Sequence, residues 1–308
     1  MSFQESCTMT FAGHQTFHPR FGWLKKAVDS VSANSRIFAA EDATLQLGVG
    51  KNMVDAIKFW GVTTKLISEH KATSGSGNEY RVTDFAKEFV MDGGYDPFIE
   101  DPLTLWLIHW NLLKPQSNSP VSWLFFNEFS AVEFSQDLLD QFMLREISAQ
   151  GNLRKEPNPS SISKDTDVLV RMYSKKALTG RQTAEDALDS PFRDLGLIVP
   201  SQLAQGSYRA VIGPKPSLPK TAVAVACLEF LGATGSTATS MSISRLTNDA
   251  NSPGKAMKLS SESLVELISD IPGIKLSNSA GIQQMVIDGD VLSLRKELLD
   301  NYFGGTDD

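Results

Sequence analysis

The nineteen residues ATLQLGVGKNMVDAIKFWG, from Ala43 to Gly61, restrict the fold more than any other part of this chain. Ala43 and Leu47 lie one helical turn apart, and Gly48-Val49-Gly50 is short and permissive enough to turn a corner. Beyond it, Met53, Val54, Ile57, Trp60 and Gly61 recur at the helical period, while Lys51, Asn52, Asp55 and Lys58 take the opposite side. The pattern predicts a short helix, a tight turn and a second helix, the layout in which one face packs and the other meets a DNA groove. Leu66-Ile67 and Glu79-Tyr80-Arg81-Val82 flank a Gly/Ser turn from Thr73 to Asn78, which predicts two strands forming a wing. The same helix pair also occurs in all-α proteins that bind no nucleic acid. A phosphate-binding loop at Gly50-Lys51 is excluded, because that motif needs Gly at Leu45 and Ser or Thr at Asn52.

Charge tells which parts could face DNA. The chain has 308 residues and a net charge of −7, unevenly spread. Residues 1–75 carry +2, residues 76–150 carry −8, and the remainder carries −1. DNA is expected to avoid the acidic segment and use the two ends. No apolar run reaches the roughly 20 residues needed to cross a bilayer. MSFQESCTMT at the start lacks both a basic region and an apolar core, and Cys7 and Cys227 stand far apart without metal-ligand spacing. A cytoplasmic, disulfide-free protein is the expectation.

Three domains are expected: a winged-helix-like unit over 1–95, a helical middle over 96–213, and a second winged-helix-like unit over 214–308. The fold class is therefore mainly α with small β-wings. In the middle, LTLWLIHWNLL (Leu103–Leu113) is apolar on almost every side and predicts a buried helix, with His109 as a hydrogen-bonded core histidine. A helix from Ser135 places Leu138, Leu139, Phe142, Met143 and Ile147 on one face, and Ser163 is the expected cap of a basic helix over Lys164–Lys176. In the last third, Ile243–Asn248, a turn at Ala250-Asn251-Ser252 and a long helix from Pro253 to Ile268 repeat the order of the first unit. Ile274–Leu276 and Ile282–Ile287 then form a wing. Lys255 and Lys258 are expected on the exposed side of that long helix.

FAGHQTFHPRFGWLKK (Phe11–Lys26), LGVGKNMVDAIKFW (Leu47–Trp60), DTDVLVRMY (Asp165–Tyr173) and SPFRDLGLI (Ser190–Ile198) resemble a bacterial family long described as of unknown function, the SspB-like nicking components of DNA phosphorothioation systems. The resemblance touches most of the chain. It implies DNA binding and strand nicking, so that sulfur can replace a non-bridging phosphate oxygen. It also implies partners: a cysteine desulfurase, a sulfurtransferase-like protein and ATPase components, with a homodimer among the expected states.

Nicking requires stabilising a pentavalent phosphorane and protonating a leaving oxygen, by metal ions on carboxylates or by a His/Arg/Lys cluster. The chain has no carboxylate pair followed by Glu-x-Lys. The candidate catalytic residues are His14 and His18 in the N-terminal motif and Asp167 and Arg171 on the basic helix, with Gln15, Asp165 and Tyr173 nearby in sequence. Asp165 and Asp167 point about 200° apart on an ideal helix, whereas Asp167 and Arg171 share a face. Arg171 is expected to hold the phosphate, with Asp167 orienting it and His14 or His18 supplying the base. Mg²⁺ or Mn²⁺ is the expected cofactor, with no ligand set assigned. The DNA-binding candidates are Arg20, Lys51, Asn52, Lys58, Arg81, Lys175, Lys176, Lys255 and Lys258. Two readings compete with a nickase: a non-catalytic DNA-binding adaptor or regulator of the same system, and a protein–protein scaffold.

Overall fold

A computed structural model describes residues 2–73, 76–150, 158–174, 190–235, 237–279 and 281–305. Lys175 and Lys176 lie outside the described residues.

The first third runs α1 (Phe3–Ser6), α2 (Trp23–Ala33), α3 (Ala43–Leu47), α4 (Lys51–Thr63), the antiparallel hairpin of β1 (Ile67–Lys71) and β2 (Asn78–Val82), and α5 (Asp84–Phe89). Gly48 is the αL cap of α3 at φ 63°, a conformation costly to any residue with a Cβ, and α4 starts three residues later. Ala27, Val28, Val54, Ile57 and Trp60 are buried where α2 packs on α4. The order helix, helix, turn, helix, hairpin is present as expected.

The middle third is built round α6 (Pro102–Leu113), buried from Leu103 to Leu113. Each large apolar side chain there contributes about 1.5–3 kcal/mol by burial. Its two indoles and its histidine are hydrogen-bonded by other elements. Trp106 Nε1 donates to Ser217 O at 2.8 Å, and Trp110 Nε1 donates to Glu229 at 2.9 Å. His109 sits between the Tyr173 hydroxyl (2.7 Å) and Ala256 O (2.8 Å), and burial lowers it to about 4. It is the hydrogen-bonded core histidine that the sequence predicts. Around α6 lie α7 (Pro120–Asn127), β3 (Glu133–Ser135), α8 (Gln136–Ser148), α9 (Pro159–Tyr173), β4 (Ile198–Pro200) and β5 (Ser207–Ala210), with a three-stranded sheet in the order β3-β5-β4. The α9 helix begins before Ser163, because Asn158 caps it by accepting from Ser160 N and Pro159 takes the first helical position. Leu138 also departs from expectation and is exposed.

The last third comprises α10 (Lys220–Gly232), β6 (Ser240–Ser242), α11 (Ile243–Asn248), α12 (Pro253–Met257), α13 (Ser261–Ile268), β7 (Ile274–Ser279), β8 (Ile282–Ile287) and α14 (Val291–Gly304), with sheet order β6-β8-β7. The expected long helix is broken. Lys258 takes φ 47°, and Ser260 caps a new helix by accepting from Ser263 N. The turn before α12 is interior: Trp123 Nε1 donates to Asn251 Oδ1, and Asn251 donates to Asn127 and Ser6. One contiguous apolar core draws on all three segments. Glu229 further ties them, held as a carboxylate by Lys114 (2.8 Å) and Arg295 (3.0 Å), while Arg295 forks onto Glu88 of α5.

Two lysines are turned inward against helix ends, Lys215 buried and Lys65 half-buried. Lys65 donates to the carbonyls of Lys114 and Pro115, Lys215 to those of Met257 and Lys258, and desolvation lowers each to about 7. An unfolded chain keeps these protons up to the ordinary lysine range, so above pH 7 it binds more protons than the folded chain and stability rises with pH. His109 acts in the same direction between about 4 and its ordinary value of 6.5. Melting temperature is expected to climb from pH 6 to about 8.5, below the range where unfolded thiols ionise, and Lys215→Met should flatten the climb. A melting temperature that falls across this range would contradict the assignment.

Candidate functional site

The motif Phe11–Arg20 forms a loop held between α4 and α9. Ala12, Gln15 and Thr16 all have positive φ (56°, 51° and 67°), a costly conformation for residues other than glycine. The loop keeps this shape because α9 clamps it. The Ala12 N–H donates to both oxygens of Asp165, at 2.9 and 3.2 Å. Nη2 of Arg171 donates to Thr16 O at 2.8 Å while its Nε donates to Asp167 at 2.8 Å. From the other side, Trp60 Nε1 of α4 donates to Phe17 O at 2.9 Å.

His14 is the centre of the clamp. Its Nδ1 accepts the Thr16 N–H at 3.1 Å, which leaves the ring proton on Nε2, 2.8 Å from Asp165 Oδ1. That approach lies off the N–H axis, so it is a close electrostatic contact rather than an aligned hydrogen bond. The imidazole stacks on Trp60 and meets Phe59 edge-on, and only 4% of His14 and 7% of Asp165 is exposed. His14 thus has neither nitrogen turned to solvent. His18 is buried too. The expected set is therefore rearranged: Asp167 pairs with Arg171 as its spacing implies, whereas His14 joins Asp165 on the opposite side of α9. Tyr173, engaged with His109, is interior.

What the loop exposes is its crest, Gln15 and Thr16. Arg20 packs its guanidinium over Phe17 and Trp23, 5.4 and 5.1 Å from the ring centres. Lys51 and Asn52 are exposed at the start of α4, where Gly50 provides no side-chain cap for the first N–H groups. Arg81 is exposed on the wing. Lys58 pairs with Asp55 at 3.0 Å, inside a cleft of about 370 Å³ between the loop, α4 and the hairpin.

The C-terminal candidates are corrected. Lys258 points inward: its Nζ donates to Phe125 O at 3.2 Å and lies over the Phe125 and Phe126 rings, and desolvation lowers it to about 8. A charged side chain here caps the end of α7 rather than a DNA face. Lys255 is half-buried on α12, which is covered by α6 and α7, and the exposed side of α13 carries Glu262 and Glu266, with Asp270 exposed just beyond it. The part Asp165 plays in holding the loop is not legible in the sequence, because its partner Ala12 lies 153 residues away; its place in the DTDVLVRMY run is the available signal.

Residues 11–303 match a family described as a protein of unknown function (DUF4007). The chain belongs to this family. Two solved structures are similar to this DUF4007 protein over 98% of its length and 90% of theirs, each at 31% identity: a magnesium-ion-bound SspB crystal structure (TM-score 0.90) and another SspB crystal structure (TM-score 0.89). No curated protein matches. Magnesium prefers octahedral oxygen ligands and is usually held by one or two carboxylates together with phosphates. Among the described residues no three His, Cys, Asp or Glu side chains converge, and Asp165 is already committed to Ala12 and His14. These residues form no metal cage. No helix of the described residues is long and apolar enough to cross a membrane.

Proposed function

We propose that this protein binds DNA through its N-terminal unit and nicks one strand within a phosphorothioation system. The observation that carries the reading is the strained motif loop, clamped by Asp165 and Arg171 and packed on Phe59 and Trp60 of α4, the helix whose open N-terminus presents Lys51 and Asn52. A backbone phosphate at that N-terminus meets free N–H groups, the helix dipole and Lys51, while Asn52 is free to reach a base edge. The likeness to SspB supports the system, and the family resemblance supplies the reaction. His14, Asp167 and Arg171 act in this reading as positioning residues, since their polar atoms hold the loop. The C-terminal unit is a packing module, its covered α12 and acidic α13 being unsuited to DNA. The cysteine desulfurase, sulfurtransferase-like and ATPase components remain the proposed partners, in the cytoplasm, with Mg²⁺ or Mn²⁺ the ions to test.

A second reading, the non-catalytic DNA-binding adaptor, draws on the engagement of both His14 nitrogens. Supercoiled plasmid incubated with the protein and Mg²⁺ or Mn²⁺ separates the two: open-circle product supports the nickase, and binding without conversion supports the adaptor. In the same assay Lys51→Ala is expected to weaken binding at low salt and to lower the salt slope by about one unit. Unchanged slope and affinity would move DNA away from α4.

A further inference from the structure

The cleft between the motif loop, the outward side of α4 and the hairpin is larger than the clamp needs, and its lining is chemically particular. Its volume, about 370 Å³, falls in the range of about 300–1,000 Å³ that small-ligand sites occupy. Phe59 supplies an aromatic wall, half-buried and close under Gly13. Lys58 is neutralised by Asp55, and Glu69 takes up Asn78 and the Tyr80 hydroxyl on Oε1. Oδ2 of Asp55 and Oε2 of Glu69 make no hydrogen bond with any described residue. The lining is therefore rich in acceptors and has no free cation, which disfavours a phosphate and favours a flat ligand with N–H donors.

Thr63 is the second observation. Only 1% of it is exposed, it lines the cleft, and its hydroxyl has no hydrogen-bond partner among the described residues. A buried hydroxyl without a partner costs stability, and a ligand that completes the bond removes that cost. The cleft also sits among the elements that the proposed DNA face uses: the loop crest, α4 and the wing.

We infer that this cleft receives a single nucleobase extruded from DNA, one bearing an exocyclic amino group, with Phe59 as its stacking wall and Asp55 and Thr63 as polar partners. The inference rests on the DNA-binding reading above and deepens it. Extrusion costs a few kcal/mol of stacking and pairing, which an aromatic wall and matched hydrogen bonds offset. An acceptor-lined pocket selects adenine, guanine or cytosine over thymine, whose pairing edge has no amino group.

The test is duplex DNA carrying 2-aminopurine at successive positions, titrated with the full-length protein. Fluorescence is expected to rise severalfold at one position and not at its neighbours. Thr63→Val, which keeps the side-chain shape, should lower duplex affinity about tenfold while melting at or above the parental temperature, because the unpartnered hydroxyl is gone. A merely structural Thr63 would leave affinity unchanged. If the duplex binds but no position brightens, or if Thr63→Val binds within twofold of the parent, the pocket assignment is overturned and DNA binding stands. If the duplex does not bind at all, both fall.

Discussion

Gly254→Ala is expected to destabilise the chain by about 3 kcal/mol. A Cβ at Gly254 would lie 2.5 Å from Cα and 2.6 Å from the carbonyl oxygen of Thr247. These are backbone atoms, so no rotamer change relieves the overlap. Thr247 cannot retreat easily, because its hydroxyl donates to Ile243 O and accepts from Ser261, joining α11 to α13. Pushing α12 away would instead open the interior turn at Asn251, which Trp123 and Asn127 hold. Gly304→Ala is the control. Nothing lies within 4 Å of its missing Cβ, and alanine at a helical position favours folding by about 0.5–1 kcal/mol. Urea unfolding of both variants reads the contrast directly. Equal midpoints would mean that α11 and α12 are not in the close contact described.

The parts of this fold that were legible in the sequence are those set by local chemistry. Gly48 marks the corner because only glycine takes φ 63° there without strain, and the helical period of Val54, Ile57 and Trp60 marks the packed side of α4. The absence of a polar face on Leu103–Leu113 marks a helix with nowhere to go but the interior. Elsewhere local signals misled or were overruled. Asn158-Pro159 is a stronger start signal than Ser163, and it set the true beginning of α9. The break between α12 and α13 had no glycine to announce it, since Lys258 itself takes the left-handed conformation. Lys258 and Lys215 are cations turned inward onto carbonyls at helix ends, a destination that charge alone never reveals. The site was legible in its pieces rather than its pairing. The Asp167–Arg171 spacing could be read along one helix, but what joins His14 to Asp165 is tertiary packing across most of the molecule.

That joining makes Asp165→Asn the most informative substitution at the site. The carboxylate accepts twice: from the Ala12 N–H and, through electrostatic contact, from the proton on His14 Nε2. Asparagine is nearly the same shape yet has one acceptor and one donor on its head. Oδ1 of Asp165 meets both the Ala12 N–H at 2.9 Å and His14 Nε2 at 2.8 Å, while Oδ2 lies 3.2 Å from the same Ala12 N–H. With the amide oxygen at Oδ1 both donors keep an acceptor, but the NH₂ then stands against the Ala12 N–H; with the amide reversed, NH₂ faces both donors. The substitution also removes the negative charge beside His14, so a buried match becomes a partial clash at a cost of about 1–3 kcal/mol. The strained backbone at Ala12, Gln15 and Thr16 is then held less firmly against α4. Plasmid binding and nicking are expected to fall by at least about tenfold, beyond what the fraction unfolded explains. Asp167→Asn is the comparison: it weakens a half-exposed pair with Arg171, an effect of about 0.3–0.5 kcal/mol, and leaves the His14 arrangement intact. If Asp165→Asn melts and binds plasmid as the parent does, the carboxylate does not hold the loop, and the clamp must be sought among the contacts of Arg171 and Trp60.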